Sequence, residues 1–252
     1  PEDYKAFWQH FGPVLKEGLC EATPAREQIL DACMFYSTAT DNLTTLDAYI
    51  SRMKEGQKEI FYLTGERIES LRSSPQLEGF AKRGVEVLLL CDHVDDFWVN
   101  VVFEHKGKPL KSVTRADIDL DAIATDTPPK EEDKAQANDM AALCERLKLI
   151  LGDKVSDVRT TNKLSNSAVC LAVKEGGMDF RLERFLIEQK QLSEASAKIF
   201  EINPEHAIIQ SLSQKLHDSA QAKEIEDVAW LLLDQARIME GEEISDPAGF
   251  MR

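Results

Sequence analysis

"EIFYLTGERIESLRSSPQLEGFAKRGVEVLLLCDHVDDFWV", residues 59–99, decides how the chain is read. Its two ends are short apolar runs rich in β-branched and aromatic residues, as expected of strands buried on both faces. Between them, Ser74 and Pro75 supply an N-cap and a first-turn proline for a helix, and Gly84 releases the chain into Val85–Leu90. Strand, helical crossover and strand form a βαβ unit, so the two strands are expected to be parallel with a right-handed connection. The second strand ends abruptly in Asp92, His93, Asp95 and Asp96, followed by Phe97 and Trp98. Ligands of open α/β sheets sit at such carboxyl ends, which makes this segment the first place to look for chemistry.

Upstream, residues 3–53 read as helical. Tyr4, Phe7, Trp8, Phe11, Val14 and Leu15 fall at helical spacing, and Gly12-Pro13 is expected to kink or break that helix. A second helix is predicted over about Arg26–Tyr36. A third opens after Thr44 as cap, with Asp47 in its first turn, where it favours the helix dipole. Downstream, "KPLKSV" (108–113) is a candidate edge strand. Residues 116–135 hold seven acids and Pro128-Pro129, the composition of a domain boundary. Beyond it, Met140, Leu143, Cys144, Leu147, Ile150 and Leu151 form one apolar helical stripe that Gly152 ends. "VSDVRT", "AVCLAV" and "KIFEI" read as strands. Helices are predicted over about Met178–Gln189, after Asn203-Pro204, over about Lys223–Glu240 and after Asp246-Pro247. The fold class is α+β or α/β in two domains, the second mainly helical at its end.

With 30 Lys+Arg against 45 Asp+Glu and a net charge of -15, the 252-residue chain is ill suited to a nucleic-acid backbone or an anionic membrane surface. No apolar run approaches the ~20 residues that span a bilayer, and "PEDYKAFWQ" has none of the marks of a signal peptide. The five cysteines (Cys20, Cys33, Cys91, Cys144, Cys170) contain no CxxC pair and read as reduced thiols of a cytoplasmic protein. The start without Met, inside an expected helix, suggests a piece of a longer protein.

Two kinds of function are open to these residues. Asp92, Asp95 and Asp96, with His93 beside them, could hold a divalent cation and serve a metal-dependent hydrolase. No phosphate-cradling glycine loop or HExxH accompanies them, and the same acids could simply favour the start of a helix. Phe97 and Trp98, about 100° apart on a helix, cannot both face one core, so one is expected at a contact surface. In "GGMDFRLERFL", Met178, Leu182, Phe185 and Leu186 make one stripe, with Phe180 off it and Arg181, Glu183 and Arg184 between. Val228–Leu233 is apolar for six residues and covers every face of its helix, which demands burial all round. Near the end of a chain, a second copy is a natural cover, in a symmetric helical bundle.

Together these stretches resemble the 90-kDa heat-shock chaperone family in its bacterial form. "YKAFWQHFGPVLKEGL", "DAYISRMKEGQKEIFYLTGE", "SSPQLEGFAKRGVEVLLLCDHVDDFWV", "LGDKVSDVRTTNKLSNSA", "FEINPEHAII" and "LLLDQARIMEGEEISDPAGF" occur in the family's order and spacing. The resemblance implies that residues 1–115 are the latter part of a middle domain, with a helical coil over 1–57 and a small α/β/α subdomain over 58–115. Residues 116–135 would connect it to a C-terminal dimerisation domain over 136–252, whose last helices form a four-helix bundle across a homodimer. It further implies a chaperone that binds partly unfolded client proteins, with co-chaperones as further partners. The ATP- and Mg²⁺-binding domain lies outside this chain, so the fragment itself is expected to be no enzyme and to hold no cofactor. Position by position, the client-contact residues match Asp96, Phe97, Trp98 and Asn100 in the first segment. In the amphipathic helix they match Met178, Leu182, Phe185 and Leu186. A groove joining the two sets is expected to grip chains without regard to sequence. The family's bacterial members often carry tryptophan where Phe97 stands. The dimer interface is expected at Val228, Leu231, Leu232, Gln235, Met239 and Phe250.

Overall fold

The strand–helix–strand reading of residues 59–90 holds in the computed structural model, which describes residues 2–123, 134–216, 218–242, 244 and 246–251. The chain divides into two compact units, one of residues 1–113 with 121–124, the other of residues 114–120 with 125–252.

The first unit opens with helices α1 (Glu2–Glu17) and α2 (Arg26–Ala32), a two-residue strand β1 (Tyr36–Ser37) and helix α3 (Leu46–Ser51). Three features differ from the sequence expectation. Gly12-Pro13 does not break α1: a side chain on Gly12 would meet the Trp8 indole at 2.8 Å, so the glycine lets that ring lie against the helix. The cap of α3 is Thr45 rather than Thr44; its hydroxyl accepts from the Ala48 amide. The second predicted helix stops at Ala32, and Tyr36, placed in it by the sequence, pairs in a sheet instead.

Next come β2 (Ile60–Thr64), α4 (Ile68–Arg72), α5 (Glu78–Lys82), β3 (Leu88–Leu90), the single turn α6 (Asp95–Trp98), and strands β4 (Glu104–His105) and β5 (Lys108–Ser112). Ser74 accepts from the Gln76 amide and Pro75 opens a 3₁₀ turn before α5. The five strands run in the order β1-β3-β2-β5-β4, with β2 parallel to both β3 and β5. β5 is therefore an inner strand, and β4, paired antiparallel to it, forms the edge. One core gathers Trp8, Leu19, Phe35, Tyr49, Leu88 and Trp98.

The second unit holds α7 (Lys134–Leu151), β6 (Val155–Thr160), β7 (Val169–Ala172), α8 (Phe180–Glu188), β8 (Lys198–Ile202), α9 (Ala207–Lys215), α10 (Ala222–Met239) and α11 (Pro247–Phe250). β8 is the central strand of a three-stranded sheet, parallel to β6 and antiparallel to β7. The α7 stripe, the sheet and one face of α10 share a core that includes Leu143, Leu147, Phe200, Ile209, Leu232 and Leu233. Residues 114–116 join this unit, where the Ala116 amide donates to the Val173 carbonyl and the Val173 amide to that of Thr114. Ala116, Leu120 and Ile123 are buried, so the acidic stretch 116–135 is not a solvated linker from its start. Its continuation over 124–133 lies outside the described residues. Among the described residues, no helix is long and apolar enough to cross a membrane.

Candidate functional site: two apolar surfaces

The acids after β3 are tied to a lysine far away in sequence. Lys16 of α1 donates to Asp92 Oδ2 at 2.8 Å and to Asp95 Oδ1 at 2.9 Å. Asp95 is sealed from solvent, and its carboxylate also accepts from the Trp98 indole N–H at 2.6 Å and the Asp92 amide at 3.0 Å. Every strong acceptor direction of Asp95 is thus used by a donor of the protein. Burial alone would lower the Lys16 ammonium's pKa, but Asp95 and Asp92 outweigh it and hold the value above the usual range. Asp92 and Asp95 are consequently structural: they fix the turn α6 to α1, and the metal-hydrolase reading of this cluster has no support in its geometry.

That turn separates the two aromatics. Trp98 is 0% exposed, packed against Phe35 with ring centroids 5.8 Å apart, while Phe97 is 40% exposed. Trp98, expected as a contact residue, is therefore corrected to a core residue, because its indole N–H is taken by a buried carboxylate. Asp96 is buried as well. Asn100 is exposed and donates to the Asp96 carbonyl at 2.6 Å. Phe97 is left as the large apolar side chain this turn presents to solvent, and Val101 and Phe103 follow it as exposed apolar residues.

The second surface lies on α8, where the usual distribution of residue types is reversed. Arg181 and Glu183 are buried, whereas Phe185 is 38% exposed and Met178, Leu182, Leu186 and Ile187 are half-buried. Phe180, off the apolar stripe, is the residue that enters the core. Asp179 caps the helix by accepting from the Phe180 amide, and Thr114 donates to the same carboxylate. Glu183 accepts from the Ser196 amide at 2.9 Å and is ion-paired with Lys198 of β8. Burial pushes the Glu183 carboxyl up, and the hydrogen bonds from Lys198 and Ser196 more than offset this, leaving it below the usual glutamate range. Of the charged residues between the apolar ones, Arg181 and Glu183 face inward, and in the stripe Phe185 is exposed while Met178, Leu182 and Leu186 are half-buried.

Helix α10 is amphipathic rather than buried all round. Ala229, Leu232 and Leu233 enter the unit's own core, with Leu232 at 2% exposure, while Leu231 is 40% exposed and Gln235, Ile238 and Met239 are exposed too. Leu232, expected at a dimer interface, is thus a core residue of its own unit; Val228 and Phe250 are half-buried. A cleft of about 280 Å³ runs between α9 and α10, lined by Ile208, Leu212, Val228, Leu231, Leu232 and Gln235 among others.

Two other groups were not legible beforehand. Asp31, Asp47 and His105 bring possible ligand atoms within 4.8 Å of one another. Lys106 fills that place, its ammonium 2.6 Å from both Asp47 oxygens, and with His105 it holds the Asp47 carboxyl below the usual range. All five cysteines are free thiols; burial pushes Cys33 up to about 12 and Cys144 up to about 11, away from thiolate chemistry.

A family model described as "Hsp90 protein" matches residues 1–252. Among individual proteins, the chain is 49% identical over 262 residues to the chaperone protein HtpG of Ehrlichia canis (strain Jake), covering 98% of this chain and 40% of that protein. It is 49% identical over 255 residues to the HtpG of Roseobacter denitrificans, covering 100% and 41%. It is 46% identical over 255 residues to that of Wolbachia pipientis wMel, covering 100% and 40%. The chain thus spans about two fifths of the length of the curated relatives it matches.

Proposed function

Since the chain belongs to the Hsp90 protein family, we propose that it is the part of a molecular chaperone that holds partly unfolded polypeptides and pairs with a second copy of itself. The observation that carries this reading is helix α8, which keeps Arg181 and Glu183 inside while Phe185 is exposed and Leu182 and Leu186 are half-buried beside it. Exposing apolar area forfeits about 25 cal/mol per Å², so the hydrophobic effect by itself does not favour such an arrangement. A surface of this kind is suited to other chains that expose apolar side chains of their own. Phe97 on the first unit is the second such element. Contacts through apolar area are non-directional, so clients of many sequences can be held, and co-chaperones are further partners in this reading.

In this reading self-association uses α10 and α11. Leu231, at the cleft to α9, and Ile238 and Met239 further along α10 are exposed, and a two-fold copy of the same helices would complete a four-helix bundle over them. Nucleotide hydrolysis, with ATP and Mg²⁺, belongs in this reading to the portion of the longer relatives that the chain does not cover. The working compartment is the cytoplasm, in keeping with five free thiols.

The test is suppression of aggregation of a chemically denatured model protein. Phe97→Ala/Phe185→Ala is expected to lose protection while its melting temperature stays with the parent's. Equal protection by a folded double variant would remove the apolar-grip reading.

A further inference from the structure

A buried ion pair, Glu183 with Lys198, joins α8 to β8. We propose that Glu183 and Lys198 are positioning residues that set the roll of α8, and so decide which of its faces is offered to client chains. This rests on the client-binding reading above.

The α8 segment FRLERFLIE contains enough apolar residues on its Leu182–Phe185–Leu186 side to be a core helix, and hydrophobic burial by itself favours turning that side inward. The observed roll does the reverse. Glu183 is buried with both carboxylate oxygens engaged, one by the Ser196 amide at 2.9 Å and the other by the Lys198 ammonium. Lys198 is itself buried on the central strand β8, donates to Ser196 Oγ at 2.8 Å, and stands 5.3 Å over the Phe180 ring. A roll that buried Phe185 would withdraw Glu183 and leave the Lys198 charge inside the protein without its carboxylate. Losing one partner of a buried pair costs more than re-exposing one apolar side chain. At the far edge Arg184 donates to the Gly241 carbonyl at 3.0 Å, a latch on the same roll. The pair therefore acts as a register device: replacing it by apolar residues need not weaken the fold, but removes the instruction about orientation.

The experiment reads orientation separately from binding. In the full chain, Phe185→Cys is labelled with a maleimide and the modified peptide is quantified by mass spectrometry over time. In the parent background the cysteine is expected to react quickly. Adding Glu183→Leu/Lys198→Met is expected to slow labelling about tenfold as the rolled population grows, with a cooperative melt retained. Adding Lys198→Arg instead, which keeps the charge, is expected to preserve the fast rate. A folded Glu183→Leu/Lys198→Met variant that labels at the parent rate overturns the proposal, as does slow labelling with Lys198→Arg. Should the double variant refold poorly, Lys198→Met alone is measured in its place, with the same slowing expected and an unchanged rate counting against the pair. Slowed labelling with undiminished client protection supports the pair's role and instead sinks the client-binding reading.

Discussion

Removing the Lys16 ammonium is the sharpest perturbation available to the first unit. Lys16→Met keeps the apolar stem but strands Asp95, whose side chain has no exposure, together with Asp92, whose side chain keeps about a third of its exposure. Asp95 would retain only the Trp98 indole and the Asp92 amide as donors. Breaking a buried pair in this way costs about 3–5 kcal/mol. For a unit of roughly 115 residues, that corresponds to a fall of about 12–20 °C in melting temperature. Differential scanning calorimetry on the full chain, with Trp fluorescence alongside, measures it; the second unit, which does not contain the pair, is expected to melt unchanged. Lys16→Met/Asp95→Asn removes the stranded charge and should recover most of the loss. A Lys16→Met protein within about 1 kcal/mol of the parent would contradict a buried pair, because surface pairs behave in that way and buried ones do not.

Further outcomes follow from burial and charge at the sites. Trp98→Ala should cost about 3–5 kcal/mol in chemical denaturation as a large core side chain, whereas Phe97→Ala should stay within about 0.5 kcal/mol. Leu232→Glu should unfold the second unit, while Leu231→Glu should leave it folded and lower the mass seen by sedimentation from dimer to monomer. Glu183 and Glu242 should shape the acid limb of stability in opposite senses. The depressed Glu183 carboxyl stabilises fully above the ordinary glutamate value, and this is lost as pH falls through its folded value. Burial, offset in part by Lys198 and Arg237, raises Glu242; its protonated form contributes below the ordinary value, and that contribution is lost as pH rises through the folded one. Denaturation of Glu183→Gln across acidic pH should therefore show a flatter acid loss, and Glu242→Gln a flatter loss on the rising side.

Much of the frame was legible in the amino-acid order. β2, β3 and the crossover between them announce themselves because both strands are buried on two faces and Ser74, Pro75 and Gly84 punctuate the interval. Short-range signals could not reach the rest. β1 is two residues long and exists only because Tyr36 and Ser37 pair with Leu89 and Leu88, more than 50 positions on. No local pattern marks Lys16, because its carboxylates lie 76 and 79 residues away. Periodicity marks the stripe of α8 but does not say which face looks inward, and on α10 the apolar run reads as a helix buried all round where the structure has an amphipathic one. On α8 that choice is made by Lys198, which comes from a strand 15 residues after Glu183. On α10, six apolar residues in a row exceeded what one unit buries, and Leu231 is the one left in solvent.

In the proposed function, Phe97 and the apolar stripe of α8 around Phe185 touch client chains. Site-specific photo-crosslinking reads that contact, with a photoreactive amino acid placed singly at positions 97 and 185 and, as a still more exposed apolar control on α7, at 149. A fluorescent, permanently unfolded polypeptide is expected to crosslink at 97 and 185 and not at 149. Equal crosslinking at all three positions would mean that exposure alone draws the client, and crosslinking at 149 alone would place the grip elsewhere.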